Sequence, residues 1–307
     1  MTAMRDVWGS HLVELCQRDQ WTCVIDGDLA NSTKADMVAK AMPERFIQGG
    51  IAEQNLVGVA AGMTTVGWKP WLSSFTVFLT HRAIDQVRMV VAQTNAPVKV
   101  VGSYSGLLTG LTGRTHCDVE DLAIMRAMPA MTVLAPVDNR ELVQMMDWAN
   151  DHAGPVYLRI ARDDAPDVLP ESYQLALGQP VVLRQGSDVT LVGTGLESGR
   201  ALAAAKLLAE DGINAQVVHI GCLKPADLEA IVGSLGSGDV VVTAEEHAVE
   251  GGLGGVVAEA MATHASGKRL VRIGIEGWSQ SAGNDWLLDE YGLSAAKVAE
   301  RVRRELA

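Results

Sequence analysis

One carboxylate sits in the run Gly50-Ile51-Ala52-Glu53-Gln54-Asn55, and two of the chain's 3 phenylalanines, Phe75 and Phe78, follow soon after it. A carboxyl can hand a proton to a ring nitrogen, and clustered aromatic rings can hold a flat heterocycle still by stacking. The combination suggests a buried glutamate beside a stacked heterocycle. His116 adds an acid–base candidate, at the end of a glycine-rich stretch that runs from Gly102-Ser103-Tyr104 to Gly113-Arg114-Thr115-His116. Singly, each has a plainer explanation. Glu53 is a first-turn carboxylate favoured by a helix dipole, Phe75 and Phe78 are core residues at i and i+3, and His116 is a satisfied loop histidine. It is their joint presence that argues for a site.

Such residues need a scaffold, and the sequence predicts one. Short β-branched runs alternate with helical patterns throughout. Trp21–Ile25, Val98–Gly102, Thr132–Leu134 and Val156–Arg159 read as strands; Gln54–Thr65, Thr80–Gln93, Val119–Ala127 and Asn139–His152 read as helices. After a stretch broken by Pro166, Pro170 and Gly178, strands near Val189–Val192, Gln216–Ile220, Val240–Thr243 and Leu270–Ile273 alternate with helices at Glu197–Glu210, Asp227–Leu235, Gly254–His264 and Ala295–Glu305. The expectation is α/β: two doubly wound domains, residues 1–165 and 183–307, joined by a linker over 166–182. Loops at the carboxyl ends of parallel strands bind ligands in such sheets. Asp26-Gly27-Asp28-Leu29-Ala30-Asn31-Ser32, the Glu53 run and the Tyr104–His116 stretch all fall there.

Composition narrows the class. With 307 residues, 48% hydrophobic and 20% charged, the chain reads as globular. A net charge of −12 argues against a broad nucleic-acid surface. No apolar run approaches the roughly 18 residues of a membrane span, and the first residues carry no secretory pattern, so a cytoplasmic location is expected. Cys16, Cys23, Cys117 and Cys222 are scattered without a Cys-x-x-Cys pair, which speaks for reduced thiols and against a metal centre in this chain.

The order of motifs resembles transketolase. Gly-Ile-Ala-Glu-Gln-Asn, Ser73-Ser74-Phe75-Thr76-Val77-Phe78-Leu79, Ala83-Ile84-Asp85-Gln86-Val87-Arg88, Gly113-Arg114-Thr115-His116, Val119-Glu120-Asp121-Leu122-Ala123 and Ala244-Glu245-Glu246-His247 before Gly251-Gly252-Leu253-Gly254 carry the resemblance. It spans nearly the whole chain, but only the family's pyrimidine-binding and C-terminal domains. It implies that Glu53 bonds N1′ of the aminopyrimidine of thiamine diphosphate. A buried carboxyl can share that proton and promote the imino tautomer that removes the thiazolium C2 proton. Phe78 is implied as the ring on which the aminopyrimidine stacks, Phe75 as its neighbour, and Asp28 and Leu29 as loop residues that reach the cofactor across an interface. Arg5, Ser32 and Arg162 correspond to a sugar-phosphate clamp, suited to guanidinium forks, and His116 to a channel histidine that contacts reacting oxygens.

Absences and departures refine the expectation. The family's diphosphate-binding domain has Gly-Asp-Gly followed further on by Asn. This chain has only the inverted Asp26-Gly27-Asp28, so Mg²⁺ (or Ca²⁺) and the diphosphate are expected on a partner. The chain thus looks like the smaller subunit of a split transketolase, inactive alone and assembled as α2β2 with an N-terminal diphosphate-binding subunit. Its expected reaction is transfer of a two-carbon ketol unit between sugar-like, anionic substrates. Thr112 stands where the family has an aspartate that recognises a donor hydroxyl, Tyr104 replaces a channel histidine, Arg114 is newly basic, and a one-residue insertion blurs His81. These changes in the substrate loop imply unusual substrates. The competing readings are a 2-oxo-acid dehydrogenase β subunit, a deoxyxylulose-phosphate-synthase-like enzyme, and a non-catalytic α/β scaffold.

Overall fold

Strands buried on both sides read as mostly apolar runs, because neither face meets water. The computed structural model, which describes residues 2–307, shows this directly. Its strands are β1 (Thr2–Ala3), β2 (Thr22–Asp26), β3 (Phe46–Gln48), β4 (Lys69–Phe75), β5 (Lys99–Ser103), β6 (Thr132–Leu134), β7 (Val156–Ile160), β8 (Asp164–Ala165), β9 (Val181–Arg184), β10 (Val189–Gly193), β11 (Ala215–His219), β12 (Cys222–Lys224), β13 (Val240–Ala248) and β14 (Arg269–Ile275). Every residue of β2, β5, β7, β10 and β11 is buried.

Two large sheets result. The first runs β12-β6-β7-β5-β4-β2-β3 and the second β14-β13-β10-β11-β9. Neighbours are parallel except β12 against β6 and β9 against β11. Alternation along each strand sends side chains to opposite faces. Ile25, Leu72 and Val100 pack with Leu56, Val57 and Ala60 of the helix Glu53–Thr64, whereas Val24, Trp71 and Val101 pack with Trp8 and Leu12 of Met4–Arg18 and with Leu142 and Met145 of Asn139–Asp151. The second sheet is likewise covered on both sides. Val192, Val218 and Val241 meet Leu253–Thr263, while Leu191, Val217 and Val242 meet Glu197–Glu210 and Ala295–Leu306. The architecture is the doubly wound α/β pattern expected from the sequence.

Several features differ from the sequence expectation. The helix Met4–Arg18 was not foreseen. It lifts Arg5 off the chain end and onto the sheet. The single helix expected over Thr80–Gln93 is instead a succession of turns, Phe78–Arg82, Ile84–Gln86 and Val87–Ala92, the first and last wider than an α-helix, with Ala83 N donating to Phe78 O at 3.2 Å. A wide turn absorbs one extra residue without breaking the helix axis. Finally, β12 joins the first sheet, although it lies far along the chain among the strands of the second. The strands β4 and β9 and the helices Asp36–Ala41 and Asn284–Glu290 were likewise not foreseen, and β13 runs on to Ala248. No helix among the described residues is long and apolar enough to cross a membrane.

Candidate functional site

Because β2, β3, β4, β5 and β7 are mutually parallel, their carboxyl ends share one edge. Register aligns Asp26 with Ser73, Phe75 with Ser103, and Ser103 with Ile160. The loops leaving that edge carry Asp28 and Leu29, Glu53, Phe78, Tyr104 and Arg162. Residues far apart in sequence therefore meet as a direct consequence of strand order.

Glu53 opens the helix Glu53–Thr64 and is only 1% exposed. The chain reaches it through Gly49 and Gly50. A Cβ on Gly49 would lie 1.9 Å from Leu56 Cδ2, and Gly50 has φ +73°, so this tight turn needs both glycines. Arg82 Nη1 donates to Glu53 Oε2 at 2.7 Å. Oε1 is buried with no hydrogen-bond partner among the described residues. An orphaned buried carboxylate oxygen is costly and calls for a partner; a ring nitrogen bearing a proton would be one.

Beside it the aromatic rings form a stack. Phe75 lies between Phe78 (centroids 6.0 Å, 21° between planes) and Tyr104 (4.4 Å, 23°). His116 meets both phenylalanines edge-on, at 5.9 and 5.5 Å, and its Nδ1 shares a hydrogen bond with Thr115 Oγ1 at 2.9 Å. Tyr104 holds φ +61° and Asp28 φ +68°. Left-handed backbone at a bulky tyrosine costs of order 1–3 kcal/mol, and such strain gathers at functional sites. Here it turns the Tyr104 ring against Phe75.

The Asp28–Leu29 loop is pinned from beneath. Asp26, fully buried, accepts from Leu29 N at 2.7 Å and from Thr33 Oγ1 at 2.9 Å. Burial pushes its carboxyl up to about 6, against the pull of those two hydrogen bonds. Asp28 itself is exposed, its N–H donating to Gln48 Oε1 at 2.9 Å, and Leu29 is half-buried. These two residues point the site toward solvent.

A cleft of about 790 Å³ opens next to the stack, lined by Ser32, Phe75, Tyr104, Thr112 and Arg162 together with Asp163, Asn284 and Trp286. Arg5 and Arg162 each place their guanidinium carbon 5.6 Å from the Tyr104 centroid. Arg5 donates to the Tyr104 hydroxyl and, at 3.3 Å, to Ser32 O. Arg162 Nη1 also pairs with Asp163 at 3.2 Å. Two guanidinium groups thus flank one tyrosine in an otherwise acidic chain. Thr112 is exposed, and its hydroxyl is turned into its own loop, donating to Thr109 O at 2.7 Å. Arg114 is exposed on the same loop.

The structure thus gathers Ser32, Tyr104, Thr112 and Arg162 around one cleft, with Arg5 bonded to Tyr104 and Ser32, and Glu53, Phe75, Phe78 and His116 around the adjoining stack. Sequence reasoning missed Arg82, Asp163, Asn284 and Trp286. Asn284 ties the far wall to the site, donating to Asp163 Oδ2 at 2.8 Å and to Leu108 O at 3.3 Å; no local pattern marks it. The four cysteines are buried and unpaired, with Cys16 pushed up to about 11 and Cys23 and Cys222 to about 12 by burial. Cys117 is raised by burial too, which opposes thiolate reactivity beside His116. Among the described residues no cluster of three His, Cys, Asp or Glu side chains could hold a metal ion.

Comparison with known proteins places this geometry in context. Residues 1–167 match the sequence profile described as transketolase, pyrimidine binding domain, and residues 178–298 that of transketolase, C-terminal domain. The chain is 38% identical to the 6-deoxy-6-sulfo-D-fructose transketolase subunit of Clostridium sp., over 96% of this chain and 92% of that protein. It is 37% identical to the 1-deoxy-D-xylulose-5-phosphate synthase of Symbiobacterium thermophilum, over 96% of this chain but 46% of the synthase. A solved structure described as a split gene transketolase, inactive beta4 tetramer, superposes with TM-score 0.87 at 40% identity, covering 99% of this chain and 98% of that one.

Proposed function

We propose, from the fact that this chain belongs to the transketolase family, that it is the pyrimidine-binding subunit of a two-component, thiamine-diphosphate-dependent enzyme. The reaction is transfer of a two-carbon ketol unit between anionic, sugar-like substrates. The observation that carries this is Glu53: a buried carboxylate at a helix start, one oxygen without a partner, at the end of an aromatic stack. Those residues fit an aminopyrimidine, which offers a flat face and ring-edge hydrogen-bonding groups. When bound, thiamine diphosphate supplies the nucleophilic carbon that carries the ketol unit.

The chain's own residues would divide the work as follows. Glu53 Oε1 holds and returns a proton at the pyrimidine ring nitrogen, and Phe78, backed by Phe75, fixes the ring plane. His116, edge-on to that wall, moves protons at substrate oxygens where the stack meets the cleft. Arg5 and Arg162 bind the substrate's anionic end as paired charge-assisted donors, with Ser32 and Tyr104 between them. Asp28 and Leu29 face the neighbouring chain. The diphosphate and its Mg²⁺ or Ca²⁺ belong to a partner subunit, in an α2β2 assembly. In support, this chain spans 92% of a relative whose name calls it a subunit. Residues 1–165 and 183–307 act as the two domains, joined by 166–182.

The test is reconstitution. Purified chain is mixed with a diphosphate-binding partner, thiamine diphosphate and Mg²⁺, and two-carbon transfer is followed over a panel of ketose phosphates and sulfonates. Transfer should need both chains, the cofactor and the cation. Turnover by this chain alone, or a mixture that binds no thiamine diphosphate, contradicts the proposal.

A further inference from the structure

Arg82 has no place in the mechanism above, yet it touches both halves of the pyrimidine site. Its Nη1 donates to Glu53 Oε2 at 2.7 Å, and its guanidinium carbon lies 4.5 Å from the centroid of Phe78. Phe78 is the end ring of the stack, with Phe75 and then Tyr104 beyond it. A guanidinium is flat, delocalised and edged with N–H donors. An aminopyrimidine is flat, aromatic and edged with N–H donors as well. Both can lie on a phenyl face while donating to the same carboxylate. We propose that Arg82 is a placeholder for the cofactor's aminopyrimidine, stacked on Phe78 and paired with Glu53 until the ring arrives, and displaced by it.

The local structure makes such an exchange feasible. Arg82 closes the wide turn Phe78–Arg82, and this turn brings its side chain back over the ring where the turn begins. The side chain is 46% exposed while its partner Glu53 is 1% exposed, so the arm can swing into water without opening the core. Among the described residues Glu53 is its one ion-pair partner, and the Phe78 face is its other contact. The exchange also has a chemical consequence. A carboxylate paired with a guanidinium has no proton to pass on, because arginine does not release its own. Replacing the guanidinium by a ring nitrogen converts a static pair into one that can share a proton. Arg82 thus holds Glu53 Oε2 and the Phe78 face until the ring takes them, and its departure couples cofactor arrival to readiness.

Arg82 can act in this way only if Glu53 and Phe78 form the pyrimidine site, so the experiment must let the two ideas fail separately. The probe is 4-amino-5-hydroxymethyl-2-methylpyrimidine, which needs no diphosphate half, added to the full chain and followed by calorimetry or ligand-observed NMR. An exposed ion pair and a cation–π contact together hold a side chain weakly, so Arg82→Ala should bind the probe roughly 5- to 30-fold more tightly than wild type. Arg82→Gln keeps one planar donor for Glu53, guards against misfolding, and should fall between the two. A second readout uses wild type alone: modification of Arg82 by phenylglyoxal, measured by peptide mass spectrometry, should speed up several-fold when the probe is added. Unchanged or weaker probe binding in both variants, or protection of Arg82 by the probe, overturns the placeholder role while leaving the site in place. Probe binding indifferent to Phe78→Ala overturns the site and the placeholder together.

Discussion

Replacing Asp26 by Asn isolates the energetic cost of pinning the Asp28–Leu29 loop. The carboxyl rises from its ordinary 3.8 to about 6 in the folded chain because burial penalises its charge more than Leu29 N and Thr33 Oγ1 reward it. A carboxyl with a raised folded value favours folding when protonated. Its contribution is fully present below about pH 4 and is lost as pH rises through about 6. The span corresponds to about 3 kcal/mol of stability that the ionised carboxylate forfeits by pH 7. Asparagine should make the same contacts without the charge, its oxygen accepting from Leu29 N and its amide donating to Thr33 Oγ1. The assay is urea denaturation of wild type and Asp26→Asn at several pH values between 4 and 7.5. The variant should gain about 1–3 kcal/mol relative to wild type at pH 7, and the gap should close toward pH 4. A difference that does not vary with pH, or that grows as pH falls, would refute the reasoning.

Three further outcomes follow from the cleft. Ordinary xylulose-phosphate donors should be poor substrates for the reconstituted enzyme, and Thr112→Asp should improve them. A charge-assisted bond gains about 1.5–3 kcal/mol, or roughly 10- to 100-fold in kcat/KM. Efficient wild-type turnover of common pentose phosphates, unaltered by the substitution, would show that the loop has no such part. Arg162→Ala should raise KM about 10-fold or more for anionic substrates and little for neutral ones, as steady-state kinetics on matched pairs will show. Arg5→Ala should do the same and in addition release Tyr104, read as a change in tyrosine fluorescence, because Arg5 bridges Tyr104 and Ser32.

What could be read from sequence was what local spacing controls. Glu53 with its flanking glycines, and Phe75 with Phe78 at i and i+3, are legible because each group lies in one contiguous run, although the strand β4 that ends at Phe75 was not. The two sheets were legible for the same reason: β5 and β10 are short apolar runs between turn signals. Met4–Arg18 escaped notice because its buried stripe includes Gly9 and His11. His11 is tolerated there by its contacts with Glu14 at 2.9 Å and Asp147 at 2.8 Å, the latter on a distant helix. Arg82 was hidden by the wide turn, since an α-helical period places the residue after an insertion on the wrong face. Asn284 and Trp286 reach the cleft only through packing of the second sheet's helices near the first sheet's loops, which no window of sequence reports.

Glu53→Gln, measured in the reconstituted two-chain enzyme, tests the central claim most directly. Glutamine keeps the size of the side chain and its hydrogen-bonding capacity, but it has no acid proton to hand over. Turnover should fall about 10²-fold or more, while thiamine diphosphate affinity changes far less. Near-normal turnover in Glu53→Gln would contradict the assignment of this carboxylate, and with it the proposed function.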